Sequence, residues 1–81
     1  MTFADLRSGD VFLMAWWLSS GPAPRAYMLV SREAVLPFDR DFALSIIRLE
    51  AADEKPSIIH LSMLEEAQEK GEIRLLEILP R

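Results

Sequence analysis

The chain has 81 residues, 51% hydrophobic and 27% charged, a balance that fits one globular domain over residues 1–81 and excludes disordered and fibrous classes. It holds no cysteine, which removes disulfides, thiol nucleophiles and cysteine metal sites, and no apolar run approaches the roughly 20 residues that cross a bilayer. The net charge of -4 counts against nonspecific binding to a phosphate backbone, because the nine basic residues are scattered and no two adjoin.

Thr2-Phe3-Ala4-Asp5 fits a capped helical turn with Asp5 reaching back to Thr2, which makes Phe3 and Leu6 a short lid over one end of the core. Asp5, and the lack of a basic start followed by an apolar stretch, read against a signal peptide, so a cytoplasmic location is expected. Ser8-Gly9-Asp10 is a turn signal that launches Val11 to Leu18, a strand apolar at all eight positions. Strand alternation puts Val11, Leu13, Ala15 and Trp17 on one face and Phe12, Met14, Trp16 and Leu18 on the other. Both faces need cover, which a closed barrel supplies on one side and a helix, a terminal segment or another subunit on the other.

Ser19-Ser20-Gly21-Pro22-Ala23-Pro24 reads as a loop, since its two prolines fix φ and remove two donors. A second strand spans Arg25 to Glu33, with Tyr27, Leu29 and Ser31 facing one way and Ala26, Met28, Val30 and Arg32 the other. A turn at Ala34-Val35-Leu36-Pro37 and the polar Phe38-Asp39-Arg40-Asp41 lead into a third strand, Phe42 to Leu49. An exposed connection over Ala51 to Pro56 precedes a short fourth strand, Ser57 to Leu61. Ser62-Met63-Leu64-Glu65 is a capping box for a helix of about eight residues, with Lys70 in its last turn and Gly71 as its stop, docked through Leu64, Ala67 and Met63. Ile73 to Leu79 is a fifth strand ended by Pro80. The predicted class is therefore mainly β: five short strands in a small, strongly bent barrel, with one helix before the last strand.

Chemistry-bearing residues are sparse. His60, the one histidine, has no local partners of metal-ligand type and reads as structural, so no metal and no cofactor is expected. Glu65 with Glu66, and Asp39 with Asp41, read as solvated surface carboxylates. The sequence holds no glycine-rich phosphate loop, nucleophile elbow or zinc pattern. Trp16 and Trp17 cannot both point into one barrel interior, so one of them is expected to face a helix, a partner or a ligand.

Gly9-Asp10-Val11-Phe12, the loop with Pro24-Arg25, Tyr27-Met28-Leu29-Val30-Ser31-Arg32-Glu33 and the run Phe42 to Arg48 together resemble the first half of the PemK/MazF-type toxins, SH3-like barrels that cleave RNA. The resemblance covers about half the chain and departs from the family where Pro-Arg replaces Arg-Pro and Ala26 follows Arg25. It implies an SH3-like barrel and, if activity followed fold, a charge-stabilising role for Arg25 at a scissile phosphate. The residues themselves favour a non-enzymatic protein-interaction module, of the kind phages and mobile elements encode. It would act by self-association or partner binding through Phe12, Met14, Trp16, Trp17 and Leu18. An RNA-cleaving toxin and a nucleic-acid-binding barrel stand as alternatives, with nucleic acid disfavoured by charge and no membrane association expected.

Overall fold

A computed structural model describes residues 2–35, 40–51 and 55–79. A 3-10 turn over Phe3–Asp5 leads into β1 (Val11–Leu18), β2 (Gly21–Ala34) and β3 (Phe42–Arg48). A second 3-10 turn (Leu49–Ala51), β4 (Ser57–His60), helix α1 (Leu61–Glu69) and β5 (Ile73–Leu79) complete the order. The five strands form one antiparallel sheet in the order β4-β3-β2-β1-β5. No pairing joins β4 to β5, so the sheet is open and the barrel expected from the two-sided first strand is not confirmed.

Glycine sets the corners. Gly9 (φ 93°), Gly21 (φ 110°) and Gly71 (φ 78°) adopt left-handed backbone, and no other described residue has positive φ. Gly21 closes the β1–β2 hairpin opposite Leu18 after only Ser19 and Ser20, so the expected loop is much shorter and β2 starts before its prolines. Pro22 pairs with Trp17 and Pro24 with Ala15. Two residues apart, they place their missing donors along one edge of β2, and β3 joins that strand only from Tyr27 onward. Proline is tolerated where a strand edge lacks a neighbour.

The helix is present but begins two residues earlier than the Ser62 cap implied. His60 is the N-cap position and Ser62 lies inside the first turn, so Ser62 does not cap its own helix. Asp41, just ahead of β3, supplies the acceptors instead, taking the Ser62 backbone N–H at 3.0 Å and its hydroxyl at 2.9 Å. The same carboxylate accepts from the Phe42 N–H at 2.9 Å and lies 3.2 Å from His60 Nδ1. Led by the Ser62 backbone N–H, these donors hold the Asp41 pKa down at about 2. The expected turn around Leu36 and Pro37, the segment Phe38-Asp39, the connection Ala52-Asp53-Glu54 and the stop at Pro80 lie outside the described residues.

The core lies between one face of the sheet and a cover made by α1 and the 3-10 turn. Phe3, Leu6, Phe12, Met14, Leu29, Leu44, Ile46, Leu61, Leu64, Ile73 and Leu75 are all buried there. The lid role of Phe3 and Leu6 holds, at 1% and 0% exposure. Asp5 accepts from the Thr2 N–H at 2.7 Å, and Arg32, stacked 4.2 Å over the Phe42 ring, donates to the carbonyls of Ala4 and Leu6. Leu64 docks the helix while Met63 stays 59% exposed. Phe12 and Met14, expected at an interface or binding surface, are 0% and 1% exposed and belong to the core cluster. Val11 and Leu13, on the opposite face, are only half-buried.

Candidate functional site

Away from the helix, the core-side face of the sheet opens into a cleft of about 410 Å³. Strand register builds it. Met14 pairs with Arg25, Trp16 with Ala23, Tyr27 with Arg48, and Ile46 with Ser57, so four strands deliver side chains to one concavity. Met14 and Ile46 form the floor, Ile59 a wall, and Arg25, Arg48 and Lys55 the basic part of the lining.

Two aromatic side chains are fixed against each other here. The Trp16 indole N–H donates to the Tyr27 hydroxyl at 2.8 Å, bridging past the Met14–Arg25 rung. The small Ala23 opposite Trp16 leaves room for the indole to lean over. Tyr27 in turn stacks on buried Phe12, with ring centroids 5.6 Å apart and planes 22° apart. Each polar tip has found its partner, so the pair presents a positioned apolar surface, with Trp16 39% exposed.

The electrostatics run against the chain as a whole. With 13 acidic and nine basic residues the protein is acidic, yet none of the described residues lining the cleft is acidic and three are cations. The carboxylates of Glu65, Glu66 and Glu69 are exposed on α1 instead. Glu50, on the 3-10 turn after β3, reaches the cleft through Arg25, with Oε1 3.8 Å from Nε; Arg25 also donates to the Pro24 carbonyl at 3.0 Å.

The residues singled out from sequence separate in the structure. Trp16 and Arg25 line the cleft, Met14 is its floor, and Phe12 supports it from inside the core. Trp17, 51% exposed, faces the opposite way and borders a groove beside β5, where Gln68 Oε1 accepts the Leu75 N–H at 3.0 Å. Both tryptophans are thus exposed, not one. Leu18 closes the hairpin opposite Gly21. Tyr27, Arg48 and Lys55 are among the lining residues that the sequence did not single out. Arg25 and Tyr27 share strand parity, which is a usable signal, but Arg48 and Lys55 join them only through the β2–β3 register and the β4 approach.

His60 and Ser62 flank the carboxylate of Asp41, not each other. Nucleophilic activation needs the base between the nucleophile and the carboxylate, so this trio is a structural cap. Among the described residues no cluster of three or more histidine, aspartate or glutamate side chains could hold a metal ion, and no helix is long and apolar enough to cross a membrane. No protein-family model, curated protein or solved structure matches the chain.

Proposed function

We propose that the protein is a binding module whose ligand occupies the cleft, and that this ligand is a single-stranded nucleic acid. The observation that carries the reading is the pairing of a fixed Trp16–Tyr27 aromatic surface with Arg25, Arg48 and Lys55, none of the described lining residues being acidic. Stacking platforms beside cationic side chains bind bases and backbone phosphates without demanding a particular sequence. Net charge, which argued against nucleic acid, does not weigh against a site where charge is locally segregated. Binding is favoured over the RNA cleavage implied by the PemK/MazF resemblance, because the described lining offers cations, hydroxyls and an indole but no carboxylate or imidazole. The strand order and the helix before the last strand support the SH3-like reading of the fold.

Fluorescence anisotropy with a labelled single-stranded RNA of about twelve nucleotides tests this. Trp16→Ala should weaken binding between fivefold and a hundredfold or so, from about 1–3 kcal/mol of stacking. Three phosphate contacts give a log–log salt slope of about -2. Absence of binding at low salt and high protein concentration would remove the reading. Cleavage abolished by Arg25→Ala would restore the toxin reading.

Self-association is a second reading, favoured by the sheet's other face. Leu79, Val11, Met28 and Ile47 line up across four strands as an apolar row, each half-buried, with Val30 beside them 42% exposed. Among the described residues, α1 and the lid pack on the core side, and an apolar row on the other face suits a symmetric contact. Light scattering should then give twice the 9.2 kDa chain mass, reverting to one chain in Val30→Glu.

A further inference from the structure

Among the described residues, the Arg25–Glu50 contact works against an anionic ligand in the cleft. Glu50 lies two residues beyond Arg48, on the 3-10 turn that ends β3, and its carboxylate is the acid that reaches Arg25. At 3.8 Å from Nε the pair is loose, and the two side chains are 43% and 61% exposed. The Pro24 carbonyl takes Nη1 at the same time. Arg25 is therefore held along the rim by a counter-charge that a ligand can replace.

We propose that Glu50 is an internal competitor that sets the affinity of the cleft for anions, exchanging with a ligand phosphate on Arg25. The proposal rests on the reading of the cleft as the ligand site. Exchange is feasible because an exposed ion pair of this geometry is weak and gives way to a better-placed phosphate, which can take two guanidinium N–H groups at once. Glu50 thereby lowers affinity without blocking the cleft and makes binding discriminate against ligands that cannot offer an anion at that position.

The test is a double-mutant cycle read by anisotropy with the same labelled single-stranded RNA. Glu50→Gln should tighten binding about two- to fivefold, the range that an exposed pair can supply. Glu65→Gln, on the exposed side of α1, makes the same change in net charge and should have a smaller effect. In an Arg25→Ala background, Glu50→Gln should gain no more than Glu65→Gln does. Equal gains from Glu50→Gln and Glu65→Gln, or a Glu50→Gln gain that persists without Arg25, would overturn the competitor role while leaving the cleft as the binding site. A wild-type protein that binds no RNA overturns the reading of the cleft, and the inference with it. Folding of each variant is checked by circular dichroism, since both Glu50 and Arg25 are exposed and outside the core.

Discussion

Replacing Phe12 by alanine tests which face of β1 is the interior. Phe12 is 0% exposed, lies in the core cluster and supports Tyr27 by stacking. A buried Phe→Ala change costs about 3–5 kcal/mol through lost transfer energy and the cavity left behind. For 81 residues the total stability is roughly 4–12 kcal/mol, so the variant loses from a quarter of it to all of it. In a domain of this size each 1 kcal/mol moves Tm by about 4–8 °C, which puts the expected fall above about 10 °C. Trp17→Ala removes a larger side chain from the other face, but 51% of it is already in water, so about 1–2 kcal/mol is expected. Thermal unfolding followed by far-ultraviolet circular dichroism measures both without relying on tryptophan emission. A Trp17→Ala loss equal to or greater than that of Phe12→Ala would show that the strand buries its other face.

Asp41 gives a pH prediction. Its folded pKa of about 2 lies below the ordinary 3.8, so its stabilising effect is complete above pH 3.8 and is lost as pH falls from 3.8 towards 2. Asp41→Ala should therefore be less stable than wild type at neutral pH, with the gap closing over that acid interval; a gap that stays constant to pH 2 would refute the assignment. At Gly71 (φ 78°) an added Cβ meets no atom within 4 Å, so the cost of Gly71→Ala is purely conformational, about 1–2 kcal/mol in urea unfolding, with Gly71→Asn costing less. Equal stability of all three proteins would show that the turn relaxes to another conformation.

Local chemistry made much of this fold legible and left the long-range parts dark. Gly9 and Gly71 marked their corners, β5 spans the residues its alternation indicated, and Phe3 and Leu6 pack as a lid. Pro22 and Pro24 misled because a proline's effect depends on whether that strand edge has a neighbour, a fact held by β3. Ser62 misled because its hydroxyl and N–H go to Asp41, 21 residues back, a stronger acceptor than any available within the turn. The all-apolar β1 marked two apolar faces, but periodicity alone could not say that Phe12 and Met14 go inward. The cleft was hidden for the same reason: Arg25, Arg48 and Lys55 are far apart in sequence, and only sheet register gathers them beside Trp16 and Tyr27.

The lid has a consequence for how the chain is made. Phe3 and Leu6 are enclosed partly by α1, which starts about 60 residues later. At synthesis rates of about 5–20 residues per second, those side chains leave the ribosome some 3–12 s before their cover exists. The inner face of β1 waits as long, since β5 and α1 are both needed to enclose it. Folding of this domain is thus held back until its last strand emerges, and in that interval an eight-residue apolar strand is open to wrong partners. Slower elongation lengthens that exposure, so soluble yield should rise when codons between β1 and α1 are translated faster.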